Sequence, residues 1–271
     1  MKKLLIIGVT GLVGTEISKQ LKAKYQIYGI SRTPIDTPDY THISFDIEKD
    51  NMSEILSEVK PDLIISCTRG DFERQLLCHK KISEYCSVNE IRLYYFSTAN
   101  VFDGCPDGVK FETDTPCSDS PYGKFKINCE ELIKGVMGEK AIIIRLPMVF
   151  GENALRVNQI RDAIMNQEQI KVYDNLIITT ITDIALVKQL RFIIENELTG
   201  VFHLASLDEV NQVDFYKKSI GSDDIIEISH IDEVETYYLA IKSNRDELKQ
   251  FKFTCGEMID LIRGYISNWR I

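Results

Sequence analysis

The chain has 271 residues, 44% of them hydrophobic and 27% charged, and its formal net charge is -9. This length and composition are typical of a globular protein with one large domain or two interdependent lobes. The acidic balance argues against a non-specific nucleic-acid or anionic-membrane binder, which would need basic surface. No apolar stretch is long enough to span a bilayer, so a membrane partner is not expected.

Strand and helix patterns alternate through the first half of the chain. Residues 1–7 briefly mimic a signal peptide, but the apolar run is too short and leads straight into a glycine-spaced turn, so it predicts a buried strand. Strands are predicted at 3–8, 26–31, 41–46, 63–66, 93–97 and 141–146, and helices at 11–24, 51–59, 72–87 and from residue 122. This alternation predicts a Rossmann-type α/β fold with a doubly wound parallel sheet.

The pattern is looser after residue 151. Helices are predicted at 157–166, 183–195, 212–220 and 255–267, and strands at 170–173, 177–181 and 200–204. Residues 1–150 are therefore predicted to form a dinucleotide-binding domain, to which 177–205 return. Residues 151–271 are predicted to form mainly a smaller, interleaved substrate lobe, with Trp269 anchoring the last helix.

Three glycines follow the first predicted strand with the spacing G-x-x-G-x-x-G. A phosphate-binding loop needs glycine for a tight turn, for close approach to a pyrophosphate and for close helix–strand packing. A glycine-rich turn without a ligand is the alternative, but the position between a strand and a helix favours a dinucleotide. The candidate contacts here are Gly8, Thr10, Gly11, Leu12, Val13 and Gly14.

The end of the second predicted strand indicates which dinucleotide would bind. NAD sites usually carry an acidic residue there, whereas this chain has Ser31 and Arg32. A guanidinium suits a 2′-phosphate, so NADPH is favoured over NADH; the alternative is that Arg32 is a solvated surface residue. Asp46 could accept a hydrogen bond from adenine or cap its own turn. Ile47 and Cys67 complete the candidate cofactor contacts.

Tyr122 and Lys126 are four residues apart and share one face of a predicted helix. A free phenol has a pKa of about 10, and a nearby ammonium lowers it, so the pair could supply an acid or base. Tyr238 and Lys242 have the same spacing. They lack a preceding Pro-rich loop and an upstream strand ending like 96–98, so we set them aside.

The cysteine and histidine patterns are less informative. The seven cysteines are an odd number, scattered and without a C-x-x-C pair, which is typical of reduced thiols in the cytoplasm and unlike a zinc site. His79, His203 and His230 are isolated and are predicted to be packing or surface residues. Magnesium at an acidic cluster is left open, but no ligand pattern supports it.

Six motifs together resemble the extended short-chain dehydrogenase/reductases, and among these the dTDP-4-dehydrorhamnose reductases and their relatives. The resemblance covers nearly the whole chain. The motifs lie at residues 8–14, 97–104, 121–126, 145–151, 182–185 and 200–205.

The resemblance implies a role for each motif residue. Thr98 would polarise a substrate carbonyl, Tyr122 would donate a proton, and Lys126 would bind the nicotinamide ribose of NADP. The lobe after Gly151 would bind a nucleotide-sugar, and a homodimer formed through two helices of each subunit is one implied assembly. The implied activity is NADPH-dependent reduction of a keto group on a nucleotide-activated deoxysugar, as in dTDP-rhamnose biosynthesis.

Two other functions remain open alongside that activity. One is a nucleotide-sugar epimerase or dehydratase of the same superfamily. The other is a non-catalytic, NADP-binding regulatory subunit. Rhamnose-type reductases usually carry Asp-Tyr after the threonine, where this chain has Ala99 and Asn100, so the sugar itself is not specified.

Overall fold

The structure is a computed structural model that describes residues 1–68, 70–232 and 234–267, so Trp269 lies outside the described residues. Its helices are α1 (Leu12–Leu21), α2 (Met52–Val59), α3 (Phe72–Asn89), α4 (Pro121–Met137), α5 (Leu155–Asn166), α6 (Asp183–Glu195), α7 (Gln212–Ile220) and α8 (Cys255–Ser267). Its strands are β1 (Lys2–Ile7), β2 (Tyr25–Ser31), β3 (Thr41–Ser44), β4 (Leu63–Ser66), β5 (Arg92–Thr98), β6 (Ile142–Leu146), β7 (Met148–Phe150), β8 (Ile170–Tyr173), β9 (Leu176–Ile178), β10 (Thr180–Thr182), β11 (Gly200–His203), β12 (Val210–Asn211), β13 (Ile226–Ser229) and β14 (Tyr237–Leu239).

Within the described residues, seven strands form the main parallel sheet in the order β11-β6-β5-β4-β1-β2-β3. β1 pairs with β2 on one side and with β4 on the other, so the strand order reverses between β1 and β4. Ligands of such sheets bind outside the carboxyl ends of the strands at this switch point. The predicted Rossmann-type, doubly wound sheet is confirmed.

Apolar burial explains why these segments form strands and helices. Residues 4–7 of β1 and Ile64 and Ile65 of β4 are buried, as expected for parallel strands covered on both faces. Polar side chains begin two of the helices: Asn51 accepts from the Ser53 amide at α2, and Asp71 accepts from the Arg74 amide at α3. None of the described helices is long and apolar enough to cross a membrane.

The chain divides into two compact units. The first contains residues 1–98, 121–145 and 190–202, and the second contains 99–120, 146–189 and 203–267 of the described chain. These units differ from the predicted domains, whose boundary was at residue 150. The reason is that the segment after β5 forms hydrogen bonds with residues far along the chain. Lys110 donates its amide to the Ala240 carbonyl, and Tyr238 donates its amide to the Pro106 carbonyl. Of the predicted return segment 177–205, residues 190–202 belong to the first unit.

The described residues of the second unit form three small sheets, which pair β7 with β10, β12 and β14 with β9, and β8 with β13. The prediction of one strand over 177–181 is wrong, because β9 and β10 pair with different partners on either side of Thr179. The Thr179 hydroxyl donates to the Ile241 carbonyl at 3.0 Å and accepts from the Ile241 amide at 3.1 Å. At the position where the strand partners change, these two side-chain hydrogen bonds take the place of backbone hydrogen bonds between strands.

Cys105 and Cys117 form a disulfide in the second unit, with their Cα atoms 5.9 Å apart. The prediction that all cysteines are reduced thiols is therefore wrong for this pair. Two backbone bonds bring the cysteines together: Gly104 donates to the Cys117 carbonyl, and Cys117 donates to the Val101 carbonyl. No sequence spacing signals those bonds. The free cysteines among the described residues are Cys67, Cys78, Cys86, Cys129 and Cys255.

Candidate active site

The glycine loop lies at the carboxyl end of β1, beside the switch point. Gly8 has a φ of +88°, and a Cβ there would lie 2.8 Å from the Cys67 carbonyl oxygen. A Cβ on Gly14 would lie 2.2 Å from the Gly8 carbonyl oxygen, so α1 packs against the turn after β1 at a distance only glycine allows. Gly11 is exposed and precedes α1. The first amides of α1 lack carbonyl partners within the helix, so they suit a phosphate.

We expect Gly14→Ala to weaken dinucleotide binding and lower the free energy of unfolding by about 1–3 kcal/mol, because its methyl group would overlap the Gly8 carbonyl. Gly135→Ala in α4 is the matched control, since a Cβ there meets no atom within 4 Å. Alanine in place of glycine at an open helical position should raise the free energy of unfolding by about 0.5–1 kcal/mol. Urea unfolding and cofactor titration would measure both effects. If the two variants had the same free energy of unfolding and the same cofactor affinity, the close packing at Gly14 would be contradicted.

The end of β2 holds the predicted nucleotide-specificity residues. The Ser31 hydroxyl donates to the Thr33 carbonyl at 3.0 Å, so its 2.8 Å contact with His42 Nε2 is one in which it accepts. Ser31 therefore already uses its hydroxyl proton within the protein. Arg32 is exposed, and its carbonyl accepts from the Ser44 hydroxyl at 3.3 Å. The sequence reasoning missed His42, because only strand pairing brings β3 to Ser31.

Asp46 caps its own turn, one of the two roles considered for it. Its carboxylate accepts from the Glu48 amide at 3.1 Å and lies 3.3 Å from Lys49 Nζ. The Glu48 amide and then Lys49 lower the pKa of Asp46. Ile47 packs against the core cluster of the first unit. Cys67 donates its amide to the Ile7 carbonyl at 3.0 Å, so β4 brings this thiol next to Gly8.

The three predicted catalytic residues all lie in the first unit, on α4 and β5. Thr98 is the last residue of β5, and Tyr122 is in the first turn of α4 and 42% exposed. Lys126 is one turn further along α4 and only 6% exposed. Its ammonium donates to the Phe96 carbonyl at 2.9 Å, which fastens α4 to β5 two residues before Thr98.

Aromatic rings surround this lysine and tyrosine. Lys126 Nζ lies 4.8 Å from the Tyr95 ring centroid and 5.6 Å from that of Phe125, positions that favour a charged ammonium. The Phe72 ring stacks on Phe125 at 4.5 Å and lies 6.1 Å from the Tyr122 ring. The sequence reasoning missed Phe72 and Tyr95, because no spacing rule links α3 to α4.

A buried ion pair lies one turn beyond Lys126. Arg145 Nε and a terminal nitrogen donate to the two carboxylate oxygens of Glu130 at 3.0 and 2.7 Å. Both side chains are 1% exposed. Burial by itself raises the pKa of Glu130, but the bonds and charge of Arg145, helped by Ser97 and Lys134, lower it overall. The pair joins α4 to β6 and so supports the helix that carries Tyr122.

Tyr238 and Lys242, the second tyrosine–lysine match, do not share a helix. Tyr238 lies in β14, and Lys242 forms an ion pair with Glu209. This environment differs from that of the α4 pair, where the lysine is held against the neighbouring strand.

The histidines are hydrogen-bonded within the protein. His203 is buried and contacts the Lys242 carbonyl at 3.0 Å, and His230 is exposed and 2.7 Å from an Asp174 carboxylate oxygen. His79 is buried beside Ser66. Among the described residues, no group of three or more His, Cys, Asp or Glu side chains is arranged to hold a metal ion.

The sheet order and the glycine loop define the class of this protein: it is a Rossmann-type α/β protein, as the sequence predicted. The family can be stated more narrowly. The chain belongs to the family described as RmlD substrate binding domain, whose model matches residues 1–253.

Two relatives are reductases. The chain is 26% identical over 160 residues to a probable low-salt glycan biosynthesis reductase of Haloferax volcanii, a match that covers 54% of this chain and only 53% of that protein. It is 22% identical over 242 residues to a dTDP-4-keto-6-deoxy-D-glucose reductase of Streptomyces niveus, covering 81% of this chain and 79% of that one.

Solved structures with different activities share the fold. A dTDP-4-dehydrorhamnose reductase from Bacillus anthracis in complex with NADP has a TM-score of 0.77 at 20% identity, covering 96% of this chain and 98% of that one. A UDP-glucuronic acid 4-epimerase from Bacillus cereus in complex with NAD has a TM-score of 0.76 at 15% identity, covering 98% and 97%. At such identities the likeness concerns the fold alone.

Proposed function

We propose that this protein is an NADPH-dependent reductase of a keto group on a nucleotide-activated deoxysugar. The observation that carries the proposal is the hydrogen bond from the Lys126 ammonium to the Phe96 carbonyl. This bond holds the helix of Tyr122 against the strand that ends at Thr98. Membership of the RmlD family and the two reductase relatives support the same reaction class.

The residues of the first unit fit a nicotinamide dinucleotide. Side chains at Gly8 and Gly14 would collide with neighbouring backbone, so the loop keeps its amides open to a pyrophosphate. Arg32 would bind a 2′-phosphate, and Lys126 would bind the nicotinamide ribose. When bound, the reduced cofactor supplies the hydride, which is chemistry that no side chain can supply.

The chain's own residues supply the proton and the orientation. Tyr122 would donate its phenolic proton to the carbonyl oxygen of the substrate as negative charge develops there. Lys126 would favour loss of that proton through its positive charge, and Thr98 would hold the same oxygen by a hydrogen bond that is strongest in the transition state. This role requires a residue at the carboxyl end of a strand, and Thr98 is the last residue of β5.

The substrate class comes from the relatives and from the second unit. One relative is named for a dTDP-4-keto-6-deoxy sugar, which has a ketone that a hydride can reduce. We assign the nucleotide-sugar to the lobe formed mainly by residues after Gly151, by analogy with the family. The sugar itself is not specified by Ala99 and Asn100, which follow Thr98 in place of the usual Asp-Tyr.

Oxidation of NADPH in the presence of a dTDP-4-keto-6-deoxy sugar would test the proposal. Stoichiometric loss of NADPH absorbance with formation of the reduced sugar is the expected result. An epimerase is the second candidate, because a UDP-sugar epimerase shares the fold. It would interconvert sugars with no net change in the cofactor. Tight NADPH binding without turnover of any keto-sugar would instead favour a regulatory subunit.

We expect Arg32→Ala to weaken NADPH binding by about 10- to 100-fold, the value of a lost charge-assisted hydrogen bond. NADH affinity should hardly change, because NADH has no 2′-phosphate. Arg92→Ala is the matched control. Arg92 is the first residue of β5, at the amino end of that strand, and it forms an ion pair with Glu197. Fluorescence titration with both cofactors would measure the ratio. An unchanged ratio in Arg32→Ala would remove the basis for the NADPH preference.

A further inference from the structure

A cluster of buried polar groups lies where α3 packs on β4 and β5, and the proposed mechanism does not use it. The His79 cluster consists of the side chains of Ser66, His79 and Tyr95 and the backbone carbonyl of Gln75, and all four residues are buried. Burying polar groups costs free energy unless each is hydrogen-bonded, and apolar side chains could cover the same strands at lower cost. The cluster therefore calls for an explanation beyond core packing.

The hydrogen bonds define the state of the imidazole. The backbone carbonyl of Gln75 can only accept, so Nδ1 of His79 carries the proton and donates to it at 2.6 Å. Nε2 then accepts from the Ser66 hydroxyl at 2.8 Å. Burial, and after it the positive charge of Lys126, lower the pKa of His79 to about 4, so the ring is neutral at physiological pH. A neutral ring adds no second cation beside Lys126.

His79 lies between a residue that neighbours Lys126 and a strand end that borders the glycine loop. Its ring meets the Tyr95 ring edge-on, with centroids 4.8 Å apart and planes at 77°. The Tyr95 ring in turn lies 4.8 Å from Lys126 Nζ. On the other side, Ser66 is the last residue of β4 and is followed by Cys67, whose carbonyl borders Gly8. His79 therefore contacts both Tyr95, which lies next to Lys126, and Ser66, which precedes the residue bordering Gly8.

We propose that His79 is a positioning residue: it sets the Tyr95 ring beneath the Lys126 ammonium and holds the carboxyl end of β4 through Ser66, so that both are placed for the dinucleotide. This inference rests on the proposed function for its turnover measurements. It predicts that loss of the His79 contacts weakens cofactor binding and turnover beyond any loss of stability.

Two amide replacements separate positioning from packing. In His79→Asn the short amide can bond to the Gln75 carbonyl but does not reach Ser66 or Tyr95. In His79→Gln the amide oxygen extends far enough to accept from Ser66. We expect the asparagine variant to lose about 10- to 100-fold in both NADPH affinity and kcat, with partial rescue in the glutamine variant. Ser66→Ala should reproduce part of the loss.

Ser83→Ala is the matched control. Ser83 is buried one turn along α3 and donates to the backbone carbonyl of His79 at 2.7 Å, so its removal also deletes a buried hydrogen bond. It should lower the free energy of unfolding without changing NADPH affinity. If His79→Asn loses stability but keeps wild-type affinity and kcat, or if Ser83→Ala shows the same losses, His79 only packs the core and the inference is overturned.

The affinity measurement keeps this inference separate from the proposed function. If the wild type binds NADPH or NADH but reduces no keto-sugar, the reductase proposal fails, and the dinucleotide affinities of the variants still test His79. If the variants lose kcat but keep wild-type affinity for both cofactors, the placement for the dinucleotide is overturned. A wild type that binds neither cofactor overturns both.

Discussion

Tyr122→Phe is expected to lower kcat for reduction of a keto-sugar by about 10²- to 10⁴-fold, the usual contribution of a positioned general acid. Only the phenolic hydroxyl is removed from the side chain, and the ring can keep its place beside Phe72. NADPH affinity should therefore stay near that of the wild type, because Lys126 remains fastened to the Phe96 carbonyl. Single-turnover kinetics with a titration of NADPH would measure both quantities.

Tyr238→Phe is the control for this measurement. Tyr238 lies in β14 and has the same spacing to a lysine, but that lysine is paired with Glu209. We expect its kcat to equal that of the wild type. If Tyr122→Phe turned over as fast as the wild type, another group would have to donate the proton, and the assignment of Tyr122 would be wrong.

Glu130→Gln is expected to lower the free energy of unfolding by about 3–5 kcal/mol, because it leaves the Arg145 guanidinium buried without its counter-charge. A double change to Glu130→Leu and Arg145→Met should recover much of this loss, since an apolar pair leaves no buried charge unpaired. Urea unfolding monitored by circular dichroism would measure these differences.

Glu197→Gln is the matched control. Glu197 pairs with Arg92 at 2.9 Å, but its side chain is 66% exposed, so the change should cost at most about 1 kcal/mol. Equal losses in Glu130→Gln and Glu197→Gln would contradict the proposed role of burial. A double variant no more stable than Glu130→Gln would contradict the role of the unpaired charge.

The ion pair also predicts a pH dependence. The folded-state pKa of Glu130 is lowered, so its contribution is fully present above the unfolded pKa of about 4.3 and is lost as pH falls through the folded value. Wild-type stability should therefore decrease on acidification below that pH, and the stability of Glu130→Gln should decrease less over the same window. Parallel pH profiles of the two proteins would show that Glu130 is not the titrating group.

Local patterns were sufficient for much of the fold. Periodicity predicted α6, α7 and α8 with the bounds that the structure shows, because each has a clear apolar face. The glycine spacing predicted the turn between β1 and α1, where Gly8 takes a positive φ. Short strands such as β13 and β14 were missed, since a few residues with partners far along the chain leave no periodic signal.

By itself, the sequence determined the parallel α/β sheet, the family and the residue types of the candidate site. These features depend on apolar alternation, glycine spacing and helical spacing, all of which act between residues close together in the chain. The tertiary structure alone decided which distant groups meet: Arg145 with Glu130, Cys105 with Cys117, and His79 with Ser66 and Tyr95. These contacts depend on strand order and helix packing, and a pairing between distant residues has no local signature because many alternative partners share the same chemistry.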